Sequence, residues 1–133
     1  MKSRNVVFTL ILVIVAIGFA LMRLHYEPRK REPFDRTPSH LVYTIHAMCR
    51  MDCRHISKED IDEIMKKGII IFNKSHMNDR PCPTYALQGY TLKKENLRVI
   101  FAQCEGTTKV VTCYNLREDF ECDCTAYEKK NNH

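Results

Sequence analysis

The region of this chain that can fold has no surplus of either charge, and that removes the simplest reading of a basic protein. The formal net charge is +5. Residues 1–37 hold seven Lys and Arg against three Asp and Glu, a net of +4, while residues 38–133 hold fourteen against thirteen, a net of +1. The electrostatic footprint of phosphate-backbone binding is therefore missing where it would be needed, and nucleic acid is disfavoured as a partner. Length is limited too. Of 133 residues, fewer than about 100 remain once a targeting segment and a tether are set aside, which leaves room for one domain with a modest core. No cysteine precedes Cys49, so no lipobox cysteine is present. The paired C-x-x-C motifs of common structural zinc sites are also missing.

What the chain does contain begins with an apolar run. Val6 to Met22 is seventeen residues without charge, broken only by Thr9 and Gly18 and bracketed by Lys2, Arg4 and Arg23. At 1.5 Å per residue it spans about 25 Å, slightly less than a hydrocarbon core of about 30 Å, and snorkelling by Arg4 and Arg23 covers the difference. Residues 1–5 read as a short leader and 6–22 as a transmembrane signal-anchor. A cleaved signal peptide opens the same way, with Ala16-Ile17-Gly18 or Gly18-Phe19-Ala20 as small-x-small sites. Retention is favoured because the apolar character continues through Leu21 and Met22.

Orientation is contested by two signals. Lys2, Arg4 and the terminal amine stand against Arg23, Arg29, Lys30 and Arg31, which taken alone favours a cytoplasmic domain. A short leader and a cysteine-dense small domain favour the extracytoplasmic, periplasmic side, which is the expectation adopted. The membrane, by a single-pass anchor, and an envelope protein are then the partners expected.

Residues 23–39 hold Pro28, Pro33 and Pro38 among mixed charges and read as a semi-extended tether with nothing periodic to bury. One domain is expected over 40–124, with 125–133 as a flexible tail frayed from Tyr127 onward. Within it, Ile45, Met48, Cys49 and Cys53 fall at helical spacing, predicting a first helix between Tyr43 and Arg54, although Tyr43-Thr44-Ile45 also suits the start of a strand. Ser57 and Asp60 have the form of a capping box, and Ile61, Ile64 and Met65 share one face of a second helix that Gly68 stops. Its simplest role is to pack on a core with its charges solvated.

Beyond Gly68 the period becomes that of strands, at Ile69–Asn73, Thr84–Thr91, Leu97–Gln103 and Lys109–Leu116, separated by turn-rich stretches. Short connections imply an antiparallel meander. The expected fold is α+β: two N-terminal helices packed on one face of a four-stranded antiparallel sheet, preceded by one transmembrane helix.

Several segments then fall into a familiar order. His46-Ala47 with Arg50, Arg54-His55-Ile56-Ser57 leading into a helix, Gly68, Arg80-Pro81-Cys82-Pro83-Thr84-Tyr85, Leu97-Arg98-Val99-Ile100-Phe101 and Val110-Val111-Thr112 together resemble the family called domain of unknown function 4258, over roughly residues 41–116. The resemblance implies a compact helices-then-sheet layout similar to that of RelE-type toxins and related small RNases. Within the family, the chain resembles the membrane-anchored, cysteine-bearing type of Bacteroidota. The family brings no established activity, so the resemblance implies a fold and leaves function open.

Two sets of residues carry candidate chemistry. The seven cysteines, Cys49, Cys53, Cys82, Cys104, Cys113, Cys122 and Cys124, support three readings. As disulfides in an exported domain, the reading placed first, they leave one thiol over, and their connectivity is not legible. As a zinc site, Cys49 and Cys53, one helical turn apart, would meet Cys122 and Cys124, with His46 or His55 as a substitute ligand; this makes zinc the alternative to no cofactor. As unlinked core thiols, Cys104 and Cys113 suit apolar strands better than Cys122 and Cys124 suit their acidic neighbours. The second set, His46, Arg50, Arg80, Tyr85, Arg98 and Tyr114, offers the base, cation and acid that metal-independent RNA cleavage requires. Each has a plainer role: His46 a hydrogen-bonded helix residue, Arg50 and Arg98 surface ion-pair formers, Tyr85 half-buried strand filling. A binding or structural module of the cell envelope is the leading reading, with an RNase-like enzyme or toxin-related domain as runner-up.

Overall fold

A computed structural model of the protein describes residues 2–25 and 33–131. The chain divides into two compact units, Met1–Pro33 and Phe34–His133. The first is built on α1 (Lys2–His25), a helix whose apolar side chains are exposed all round, because residues 6–22 offer no polar face to oppose an apolar one. Ser3–Leu24 is long and apolar enough to cross a membrane.

In the second unit the elements run β1 (His40–Tyr43), α2 (Ile45–Cys53), α3 (Lys58–Lys67), β2 (Ile69–Ile70), a 3₁₀ turn at Phe72–Lys74, β3 (Thr84–Tyr90), β4 (Asn96–Cys104), β5 (Thr107–Asn115) and α4 (Thr125–Asn131). The strands form one sheet in the order β1-β5-β4-β3-β2. The β3, β4 and β5 meander is antiparallel as expected, with its turns in the turn-rich stretches near Lys93–Asn96 and Glu105–Thr108. The sheet has five strands, not four, and it is not all antiparallel: β1 lies parallel to β5, pairing His40 with Thr107 through Tyr43 with Val110. Four residues give too little alternation to announce a strand, and the partner strand is almost the last element of the chain. The stretch expected as a strand over 69–73 pairs only through Ile69 and Ile70 before it curls into the 3₁₀ turn.

The helices follow their local chemistry. Thr44 caps α2, its hydroxyl oxygen accepting from the Ala47 N–H at 3.0 Å while donating to the Val111 carbonyl at 3.1 Å, so the cap also ties the helix to β5. α2 ends in a Schellman turn. His55 takes a left-handed φ of 55°, the Ile56 N–H reaches the Met51 carbonyl at 2.9 Å, and the Ile56 and Met51 side chains are both buried. The capping box at Ser57 and Asp60 forms as predicted, and Ile61, Ile64 and Met65 face the core. Gly68 is required by proximity: a Cβ there would come within 2.5 Å of the Ile64 carbonyl oxygen, where the end of α3 passes against Gly89 of β3.

One core joins these pieces, with Ala47, Met51, Ile56, Ile61 and Ile64 set against Leu87, Leu97, Val99, Phe101, Val110 and Cys113. Phe34 belongs to it as well. Only 3% exposed, its ring lies 5.3 Å from Tyr85 and 5.4 Å from Phe101. Asp35 and Gln103 exchange two hydrogen bonds, and the Arg36 guanidinium donates to the Met65 and Gly68 carbonyls at the end of α3, each at 2.9 Å. The tether expected over 23–39 is therefore docked from Phe34 onward, and the folded unit begins before residue 40. Residues 26–32 of that tether, and residues 132–133 of the expected tail, lie outside the described residues. Within the stretch expected as a tail, Thr125–Asn131 takes a helical conformation, its first turn held by Asp123 accepting from the Thr125 N–H at 3.0 Å and hydroxyl at 2.6 Å.

Candidate functional site

The cysteines resolve into three disulfides and one thiol. Cys49 and Cys53, at i and i+4, share one face of α2. Cys49 is bonded to Cys124 and Cys53 to Cys122, each with a Cα–Cα separation of 5.9 Å. The C-terminal strand of chain therefore runs antiparallel to the helix and is fixed to it at two rungs. Phe120 closes the lower end, edge-on to His55 at 6.2 Å. The third bond, Cys82 to Cys104 with Cα atoms 5.1 Å apart, continues the β3–β4 register two positions beyond Thr84 and Ala102.

Cys113 remains a thiol buried between β5 and α2. Burial pushes its pKa up to about 11, with Arg54 and Arg50 pulling weakly the other way, so it is neutral and unreactive in the folded protein.

The four residues named for zinc, Cys49, Cys53, Cys122 and Cys124, do converge, but as two bonded pairs. Among the described residues no group of three or more His, Cys, Asp or Glu side chains is arranged to hold a metal.

The candidate catalytic residues do not gather at one place. The Arg50 Nε donates to His46 Nε2 at 3.4 Å on α2. Arg98 lies on the sheet face turned away from the helices, donating from Nε and Nη2 to the Gln88 side-chain oxygen at 3.2 and 2.8 Å, directly across from Tyr114. Tyr85 lies on the opposite face, 6% exposed and against Phe34. Arg80 is exposed in the loop that leads to Cys82. The half-buried strand filling foreseen for Tyr85 becomes full burial, which leaves its ring no route to a substrate shared with Arg98.

Two arginines not named from the sequence as candidates for chemistry join the Arg98 face. Arg54 donates from Nη1 to the Cys113 carbonyl and its guanidinium sits 4.9 Å over the Tyr114 ring; Arg117 sits 6.0 Å from the ring of Tyr90. The spacing of His46, Arg50 and Arg54 at i, i+4 and i+8 was a usable signal for the first. Nothing local marks the second.

Together these features define a small α+β domain whose C-terminal segment is stapled to its first domain helix and whose sheet carries Arg98 and Tyr114 on the face away from the helices, around a buried row at Ala86 and Thr112. The family described as Domain of unknown function (DUF4258) matches residues 43–115, from the end of β1 to the end of β5, and the chain belongs to it. Among curated proteins and among solved structures, nothing matches the chain. The family match covers the helices and the meander; Phe34 and the stapled segment at 122–131 lie outside it.

Proposed function

We propose that the protein is a single-pass, membrane-tethered module whose domain stands on the extracytoplasmic, periplasmic side and serves as a binding or structural element of the cell envelope. The observation that carries this reading is the pairing of six of the seven cysteines. Disulfides persist in oxidising compartments and are removed by the thiol pools of the cytoplasm. The long-range bonds also suit a domain of this size, in which they supplement a modest core. α1 supplies a segment of the right length and composition for the anchor, with Lys2, Arg4 and Arg23 at its ends. No reaction is assigned to the domain, since Tyr85 is buried on the face of the sheet opposite Arg98 and Tyr114, and Arg80 stands apart in the loop before Cys82.

The test is topological. Intact cells expressing the full chain with a C-terminal epitope are opened at the outer envelope and treated with protease. The expected result is loss of the epitope before lysis of the inner membrane, with α1 retained in the membrane fraction. Protection of the epitope until lysis would contradict the orientation, and recovery of the domain in the soluble fraction would contradict the anchor.

A further inference from the structure

The cations of the domain are held in different ways on its two sides. Three lysines on the helical side are paired with carboxylates, Lys66 with Asp62 at 2.7 Å, Lys67 with Glu63 at 3.4 Å and Lys93 with Asp60 at 2.8 Å, while Lys58 lies over the Tyr43 ring and Arg50 donates to His46. The sheet face away from the helices differs. β3, β4 and β5 contain no Asp or Glu, and their two charged residues, Arg98 and Lys109, both alternate out of phase with the buried Leu97, Val99, Phe101 and Val110, which puts them on the face away from α2 and α3. Arg54 and Arg117 join that face through Tyr114 and Tyr90. Among the described residues no carboxylate pairs with Arg54, Arg98, Lys109 or Arg117.

These cations are held rather than loose. Arg54 is pinned by the Cys113 carbonyl and Arg98 by Gln88, yet a guanidinium has five N–H donors, so each keeps donors to offer. Stacking on a tyrosine engages the flat side of the group and leaves its N–H edge for a planar acceptor. Tyr90 is 64% exposed and Tyr114 40%. Tyrosine and arginine are the side chains on which protein interfaces concentrate their energy, and ones already fixed lose little entropy on binding.

We propose that this face docks a carboxylate-rich segment of a partner protein, its acidic side chains taken by Arg98 and Arg54 beside Tyr114, with Lys109 and the Arg117–Tyr90 pair at either end. Along β5 the strip from Lys109 to Asn115 is about 20 Å, the reach of roughly six extended residues. A narrow peptide fits the charge pattern where a continuous polyanion does not. Residues 38–133 are only +1 overall, and Glu118, Asp119, Glu121 and Asp123 follow directly on Arg117; a peptide can end its acidic side chains at Arg117, short of that repulsion, whereas a nucleic acid strand or an anionic lipid surface carries its charge on past it. The inference rests on the binding-module reading and gives it a class of partner.

The full chain, disulfides intact and in nonionic micelles, is titrated against a fluorescein-labelled twelve-residue peptide of alternating Glu and Ser, followed by anisotropy. Binding is expected to weaken as salt is raised, to fall about tenfold in Arg98→Gln, to fall about threefold in Lys109→Gln, and to be unchanged in Lys66→Gln. Lys109 is exposed, and among the described residues its side chain makes no hydrogen bond or ion pair, so its variant guards against loss through misfolding. Absence of binding, equal binding by wild type and both sheet variants, tighter binding of a twelve-nucleotide RNA, or displacement of the peptide by phosphatidylglycerol in the micelles would each overturn the proposal. Because the protein is purified, these outcomes are independent of the side of the membrane on which the domain stands.

Discussion

A buried carboxylate is destabilising unless it is paired, and Asp60 is paired three times. Its Oδ2 accepts from the Ser57 N–H at 2.9 Å, the Ser57 hydroxyl at 2.7 Å and the Lys93 ammonium at 2.8 Å. Burial alone would push its pKa up, but the hydrogen bonds from Lys93 and Ser57 outweigh it, and the net shift is downward. The sign follows. A carboxyl whose folded pKa is depressed contributes stability that is fully present above its unfolded value and is lost as pH falls through the folded one. Chemical unfolding followed by circular dichroism should show wild type losing stability below roughly pH 4, and Asp60→Asn should be less stable at pH 7 with a flatter acid limb. The capping half of this arrangement was legible in the Ser57 to Asp60 spacing; Lys93 was not, because it arrives from the β3–β4 turn. Phe34 was hidden for a related reason. It stands alone between Pro33 and charged neighbours, with no periodicity to mark it, and only the fold brings it to Tyr85 and Phe101. Phe34→Ala should destabilise the domain by about 3–5 kcal/mol in urea unfolding, whereas an undocked tether would lose nothing.

At the level of elements, sequence reading succeeds where contacts are local. The period change at Gly68, the capping box and the three strands of the meander depend on neighbours, and all three strands formed close to their expected limits. It failed for β1, whose four residues owe their conformation to β5, and for α4, which is held in place by a segment fixed to α2 by two disulfides. That double staple makes a definite prediction. With Cys49–Cys124 closed, Cys53–Cys122 closes only a small further ring, so its removal relaxes little more of the unfolded chain. By loop-closure reasoning either bond alone is worth about 2 kcal/mol, whereas losing both also opens a long loop worth about 4 kcal/mol more. Removing both by Cys to Ser substitution should therefore lower stability by more than twice the loss seen for either pair. Hydrogen exchange over 116–131 should rise sharply only in the double removal, and additive losses would contradict the staple.

For the molecule as a whole, the pairing of the cysteines and the compartment stand or fall together. The even count of six paired residues and the single leftover were expected from the sequence, but their connectivity was not, because it depends on α2 lying against a segment almost at the other end of the chain. The same four cysteines would serve zinc if reduced, which is why spacing alone left both readings open. The most direct test is intact mass of the full chain, purified from its native cells without reductant and alkylated before and after denaturation. Six hydrogens missing, no alkylation in the folded protein and a single alkylated residue, Cys113, after denaturation are the expected result. Seven alkylated cysteines after denaturation, with no hydrogens missing, would contradict both the staple and the proposed export of the domain.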